Sequence, residues 1–137
     1  MSRHQTARPS VASGASGSHA ANSIHWTRGK GVIGTCWDTG DFVVIDTSEY
    51  SKEAAADPVA WDSLPPAERL GISSAELRAA SKYGVVAAHP ILDREDGVFR
   101  GCVSLDGPAG CQDKLSSTAV EHALAETAEA IRRAFRW

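Results

Sequence analysis

Two side chains in this sequence, His89 and Cys102, are of the types that perform nucleophilic catalysis together. An imidazole beside a thiol can accept the thiol proton and generate a reactive thiolate. Such a pair also requires an exposed thiol and a third group that orients the imidazole. The alternative is that both side chains pack within a half-buried sheet. We favour packing, and we predict that the protein is not an enzyme.

The element that would position both residues is a β-hairpin. Two runs rich in β-branched residues, 85–92 and 98–105, flank a polar segment. The Asp96-Gly97 pair in that segment is typical of a hairpin turn, because glycine readily adopts positive φ. The sequence therefore predicts two antiparallel strands whose successive side chains point to opposite faces of a sheet.

The length of the turn sets the register of this hairpin. A two-residue turn places Ile91 opposite Cys102, whereas a turn two residues longer places His89 opposite Cys102. In both registers the same apolar side chains share one face, which is the expected core face. They are Val86, Ala88, Leu92, Phe99, Val103 and Leu105. The opposite, mixed face would bring together His89, Arg100, Cys102 and Ser104.

Two tryptophans, Trp37 and Trp61, are candidates to complete a ligand site on this mixed face. Aromatic walls are common in small-molecule sites. The candidate ligand-binding residues are therefore these two tryptophans with His89, Arg100, Cys102 and Ser104. The alternative is that the tryptophans seal the core of a small domain.

The segment before the hairpin predicts one helix, one strand and a long loop. A glycine-rich turn leads into a helix over residues 32–39, which Gly40 ends. A short apolar strand follows at residues 41–46. Residues 47–64 are predicted mostly as a loop that could cover the sheet as a lid. The apolar residues that would pack beneath this lid are Tyr50, Val59 and Trp61.

Two capping boxes mark the starts of further helices. Ser73 and Glu76 predict a short helix to about residue 83, and Thr118 and Glu121 predict the final helix. Apolar residues recur along the final helix at three- and four-residue steps, at Val120, Leu124, Thr127, Ala128, Ile131 and Phe135. Its last turn carries Arg132, Arg133 and Arg136, the charge that the helix dipole favours there. The expected fold is α+β, an antiparallel β-sheet with flanking helices, in which the final helix covers the core face of the hairpin.

Composition bounds the remaining properties of the chain. Its 137 residues, of which 42% are hydrophobic, fit one domain, predicted over residues 24–137 after a disordered tail at residues 1–23. A net charge of −3 argues against nucleic-acid and membrane partners, and no apolar run approaches the roughly 18 residues that cross a bilayer. The N-terminal segment lacks the apolar core of a signal peptide, so we expect that the protein is not exported. Three cysteines without CxxC spacing indicate free thiols in a reducing cytoplasm.

Several segments, in order, resemble the GAF family of sensory domains. They are the glycine turn at residues 29–34, the strand at residues 39–45, the hairpin strands at residues 85–92 and 97–106, and the final helix. The resemblance covers about residues 26–135. It implies a GAF/PAS-like fold and a sensory or regulatory role with a small ligand or a protein partner. It also implies a homodimer formed along the last helix.

The chain departs from the GAF pattern in two ways. A polar segment replaces the helix and first strands of the family, so that the chain resembles its C-terminal two-thirds. The ligand signatures of the cyclic-nucleotide and bilin-binding members are absent, and Gln112 follows Cys111 where bilin-binding members often have histidine. The sequence therefore specifies no cofactor. A redox GAF protein of the free methionine-(R)-sulfoxide reductase type, acting through Cys102 or Cys36, is the alternative, although Ile33 stands where that group has cysteine.

Overall fold

The computed structural model describes residues 10–11, 27–80 and 84–137 of the chain. An antiparallel sheet in the order β1-β4-β3-β2 forms its centre. The strands are β1 (Ser10–Val11), β2 (Val43–Asp46), β3 (Val85–Leu92) and β4 (Phe99–Gly107). The helices are α1 (Gly31–Thr39), α2 (Thr47–Ala56), α3 (Pro58–Ser63), α4 (Ser74–Ala80), α5 (Gln112–Leu115) and α6 (Thr118–Phe135), with a 3₁₀ turn at Pro66–Arg69. The predicted α+β fold class is confirmed.

The β3–β4 hairpin has a register that differs from both predicted alternatives over most of its length. Next to the turn, Leu92 lies opposite Phe99, as the longer turn predicts. The next pair joins Ile91 to Gly101, which leaves Arg100 as an extra residue in β4. This β-bulge shifts the register by one, so that Cys102 faces Pro90 rather than Ile91 or His89.

A one-residue shift moves every later side chain to the other face of the sheet. Val103 and Leu105 of β4 therefore lie opposite His89 and Ala87, and they do not share a face with Val86. The predicted core face is wrong for these residues. Val86, Ala88, Leu92 and Phe99 do remain together, on the side where Cys102 also lies.

The sheet is buried on both faces, each against its own helix. Helix α6 covers one face, where Leu124 and Ala128 pack with Val85, Ile91 and Val103. Helix α1 covers the opposite face, where Val32 and Cys36 pack with the following residues of the sheet: Ala88, Phe99 and Cys102. The predicted packing of the final helix on the hairpin is confirmed for Val103, Leu105, Leu124 and Ile131, but Val86 belongs to the α1 face.

Residues 47–64, predicted mostly as a loop, form the helices α2 and α3 instead. The Asp46 carboxylate accepts a hydrogen bond from the Ser48 N–H, and the Asp57 carboxylate accepts one from the Ala60 N–H, so both helices begin at aspartate N-caps. With α4 they enclose a separate small core of Ala54, Trp61, Ile72 and Leu77. Val59 does not pack beneath a lid, because it is 77% exposed.

The helix ends predicted at Gly40 and at Ser73–Glu76 are confirmed, whereas the capping box predicted at Thr118–Glu121 is replaced by a cap one residue earlier. Gly40 ends α1 with a left-handed φ of 68°. Before α4, the Ser73 N–H donates to the Glu76 carboxylate and the Glu76 N–H donates to the Ser73 hydroxyl. Ser117 caps α6, one residue before the predicted Thr118, by accepting from the Val120 N–H. The predicted end of the short helix near residue 83 lies outside the described residues.

The predicted disordered tail, residues 1–23, lies almost entirely outside the described residues. The exception is β1, in which Ser10 pairs with Cys102 and Val11 with Gly101. These two residues add a strand to the sheet, and the disorder of the tail stays a prediction. Their backbone groups cover part of the outer edge of β4, which would otherwise expose unpaired donors and acceptors.

Candidate functional site

The predicted catalytic pair is separated by the sheet. His89 lies on the α6 side, half-buried, with its ring centre 6.3 Å from that of Phe42. Its Nδ1 lies 3.0 Å from the carbonyl oxygen of Pro90, within hydrogen-bonding distance. Cys102 points to the α1 side, where it is fully buried. His89 therefore cannot take a proton from Cys102 directly.

The thiols on the α1 side have the properties of packed side chains. Cys36 and Cys102 are both 0% exposed and lie in the same apolar cluster. Burial, with smaller contributions from Cys102 and Asp41, raises the pKa of Cys36 to about 12. Cys36 is therefore protonated near neutral pH and is a poor nucleophile. The three cysteines, all within the described ranges, form no disulfide.

The remaining candidate residues occupy separate places. Ser104 lies opposite Ala88 on the α1 side, half-buried. Trp37 also packs there, with its ring stacked on Phe99 at a centroid distance of 5.4 Å. Trp61 lies in the core of α2, α3 and α4, 1% exposed, and its indole N–H donates to the Ile72 carbonyl at 2.9 Å. The structure does not bring these side chains around one cavity.

Arg100, at the bulge, lies in a different region of the molecule, beside the hairpin turn. Its Nη2 and Nε lie 2.8 and 3.2 Å from one carboxylate oxygen of Asp93. The other oxygen of Asp93 accepts the N–H of Glu95 at 2.9 Å. The hydrogen bond from the Glu95 N–H contributes most to lowering the pKa of Asp93, and the Arg100 guanidinium contributes next. The partial loss of hydration raises the pKa, but by less. Asp93 thus fixes the hairpin turn and holds Arg100 beside it.

This hairpin turn and the end of α6 enclose an open groove of about 420 Å³. We call it the arginine groove. It is lined by Asp93, Arg94, Glu95, Arg132, Arg133, Arg136 and Trp137. The end of α6 positions the last two residues, because Arg136 adopts a left-handed φ of 58° and the Trp137 N–H donates to the Arg132 carbonyl at 3.0 Å. This is the hydrogen bonding of a Schellman motif, formed here without glycine.

One carboxylate, that of Glu129, binds three guanidinium groups beside this groove. It accepts hydrogen bonds from Arg132 and, at 3.2 Å, from Nε of Arg133. Nη2 of Arg94, on the hairpin turn, lies 3.9 Å away. Partial burial disfavours the charge of Glu129, but the two hydrogen-bonded arginines outweigh it and lower the pKa of Glu129 below its usual value. Nε of Arg132 is buried and has no hydrogen-bond partner within the described ranges.

A second groove, of about 450 Å³, lies beside β2 and α2 and has the opposite charge. The charged residues that line it are Asp46, Glu49 and Glu53. The Asp46 carboxylate already accepts hydrogen bonds from the Ser48 hydroxyl and, at 3.3 Å, from the N–H of Gly110. The residues that line this groove therefore offer acidic side chains but no cation to bind an anionic ligand.

The sequence predicts the elements that carry the arginine groove but not that these elements lie together. Arg132, Arg133 and Arg136 were assigned to the dipole of the final helix, and the turn at residues 93–96 was not identified as part of a site. Their proximity could have been inferred from the matching lengths of the hairpin strand and the final helix. The hairpin strand β3 and helix α6 lie against each other, so the turn after β3 meets one end of the helix.

Comparisons with known proteins add no family assignment. No protein-family model matches the chain, and no curated protein is significantly similar to it in sequence. Among the described residues, no group of three or more histidine, cysteine, aspartate or glutamate side chains is arranged to hold a metal ion. None of the helices within the described ranges has the length and apolar character needed to span a membrane.

Proposed function

We propose that this protein is a GAF-like sensory or regulatory domain, not an enzyme, which works in the cytoplasm and signals through dimerisation. It would bind a small ligand and transmit binding through pairing of α6 with the same helix of a second copy. The order of the matching segments and the α+β architecture support this proposal. Burial of Cys36 and Cys102 argues against the redox alternative.

The observation that carries the proposal is that the inner face, the last turn and the outer face of α6 have different surroundings. Its inner face packs on the sheet through Leu124 and Ala128, and its last turn lines the arginine groove. Its outer face stays exposed along most of its length and carries small side chains: Ala119, Ala123, Ala130 and Ala134. Small side chains allow two helices to approach closely, and a twofold pairing uses one face on both copies. A ligand in the groove would then contact the helix that forms the interface.

Sedimentation equilibrium at micromolar concentration tests this proposal. We expect a dimer for the natural chain and a monomer for Ala123→Glu, because a buried carboxylate without a partner opposes association. Ala55→Glu is the matched control, since it adds the same charge to an exposed position of α2. The control should remain a dimer.

Two outcomes would contradict the proposed function. One is a natural chain that is monomeric at all concentrations while unfolding cooperatively. The other is an Ala123→Glu variant that dimerises as well as the Ala55→Glu control. In the second case the dimer would use a surface other than the outer face of α6.

A further inference from the structure

We propose that the arginine groove binds the oxyanion group, a phosphate or a carboxylate, of a small ligand. Arg94, Arg132 and Arg133 would bind this group, and Glu129 holds the same three side chains in the structure. This inference rests on the proposed function, for which it supplies the site and the chemical class of the ligand. It departs from the sequence-based expectation, which placed the ligand on the mixed face of the sheet.

The balance of hydrogen-bonding groups is the first argument. Four arginines line the groove, and each guanidinium carries five N–H donors. Of the acidic residues nearby, Asp93 is already occupied by Arg100 and backbone N–H groups. Glu129 pairs with Arg94, Arg132 and Arg133, and Glu95 also lines the groove. The guanidinium groups have more donors than Asp93, Glu95 and Glu129 can accept, and an added oxyanion would replace the water that accepts the rest.

The second argument is the incomplete hydrogen bonding of Arg132, which does not depend on how many charged groups line the groove. Its side chain is only 26% exposed, and its buried Nε has no hydrogen-bond partner within the described ranges. A buried donor without an acceptor is costly and is uncommon in folded proteins. Guanidinium groups bind phosphate and carboxylate through two parallel hydrogen bonds, so an oxyanion could satisfy this donor once the Arg132 side chain turns its Nε edge toward the groove.

The helix dipole does not explain the arrangement by itself. Basic side chains in the last turn of α6 do complement the dipole. However, Arg94 comes from the hairpin turn, and it converges on the same carboxylate as Arg132 and Arg133. The hairpin thus adds a third guanidinium group to a carboxylate that Arg132 and Arg133 of the helix already share.

The size of the groove selects a small ligand. Its volume of about 420 Å³ is within the range of about 300–1,000 Å³ typical of small-molecule sites. Trp137 supplies an aromatic wall, and its ring stacks on Phe135 at a centroid distance of 4.8 Å. The oxyanion would contact the arginines while the rest of the ligand lies against the indole ring.

Isothermal titration calorimetry with pyrophosphate and with citrate, at low ionic strength, tests this inference. We expect saturable binding of at least one of these probes. Arg132→Ala should weaken it roughly tenfold or more, because a charge-assisted hydrogen bond is lost. Arg94→Gln lies on the exposed turn and keeps the test valid if Arg132→Ala does not fold. Glu129→Gln should strengthen binding, because it removes the carboxylate that competes for the arginines.

Arg28→Ala is the matched control for loss of positive charge. Arg28 is 65% exposed, pairs with Asp38 and does not line the groove, so this variant should bind like the natural chain. Binding of pyrophosphate alone identifies a phosphate ligand, and binding of citrate alone identifies a carboxylate ligand. Both results support the inference.

The inference is overturned if neither probe binds, or if Arg28→Ala weakens binding as much as Arg132→Ala does. It is also overturned if Glu129→Gln weakens binding. Failure here is distinguishable from failure of the proposed function, because the oligomeric state is measured without the probes. If the chain dimerises but binds neither anion, the proposed dimerising domain stands and this groove is excluded as its oxyanion site.

Discussion

The α1-facing side of the hairpin and the arginine groove contrast in how they use side chains of chemical interest. The α1-facing side contains two thiols and an indole, but all three pack closely: Cys36 and Cys102 are 0% exposed and Trp37 stacks on Phe99. The groove contains only charged side chains and one tryptophan, and it is open to solvent. The thiols of Cys36 and Cys102 are thus buried, whereas the charged side chains of the groove are open to solvent.

The physical basis of this difference is the number of covered faces. A sheet with helices on both faces leaves no mixed face for a ligand, and its polar or reactive residues must tolerate burial. Cysteine tolerates burial well, because a protonated thiol behaves as a small apolar group. Guanidinium groups do not, so four arginines gather at the end of the hairpin where solvent remains.

Thiol labelling should show the largest contrast in the molecule. Under native conditions near neutral pH, iodoacetamide should modify Cys111, which is partly exposed, and leave Cys36 and Cys102 unmodified. Burial blocks access to the latter two, and the raised pKa of Cys36 removes its thiolate. Mass spectrometry of the labelled chain checks this, with labelling in denaturant as the control for all three thiols. Native labelling of Cys102 at the rate of Cys111 would contradict the packed α1 face.

Truncation in the α6-facing core should have the next largest effect. Leu124 is 8% exposed and packs with Val85, Ile91 and Val103, so Leu124→Ala should reduce the free energy of unfolding by about 2–5 kcal/mol. Val59→Ala, at a position 77% exposed, should change it by no more than about 0.5 kcal/mol. Urea denaturation measures both. Equal midpoints for the two variants would show that α6 does not pack on the sheet as described.

The elements themselves could largely be predicted from the sequence, but the faces of the hairpin could not. Capping residues and apolar periodicity depend on neighbours in the chain, so Gly40, the Ser73–Glu76 box and α6 were predicted correctly. The faces depend on the pairing of residues about ten positions apart. The extra residue Arg100 changed that pairing, and no local propensity marks an arginine as a bulge.

The error at residues 47–64 had a signal that sequence reasoning could have used. Asp57 followed by Pro58 is a favourable start for a helix, since aspartate caps the N–H groups and proline suits the first turn. An alanine-rich run, Glu53 to Ala56, precedes it and favours helix as well. The arginine groove lacked such a signal, because it depends on where the hairpin turn meets the end of α6. That contact is set by packing of the sheet on the helix.

The smallest effect on stability is expected in the groove, from Glu129→Gln. Because the folded pKa of Glu129 is lowered, its contribution is present above its usual pKa and is lost as the pH falls through the folded value. The variant should therefore be slightly less stable than the natural chain at pH 7, and the difference should shrink below about pH 4. The loss at pH 7 should be well below that of Leu124→Ala, because Glu129 is only partly buried and the exposed Arg94 and Arg133 can turn to water.

Urea denaturation across this pH range checks the prediction, with Glu126→Gln as the matched control. Glu126 lies on the same helix, is 70% exposed and pairs with His122, so its replacement should change little at any pH. A loss at pH 7 as large as that of Leu124→Ala would contradict the contrast between the two regions. Glu129 and its arginines would then hold α6 on the hairpin, and the groove would be a structural ion network, not an open site with unused donors.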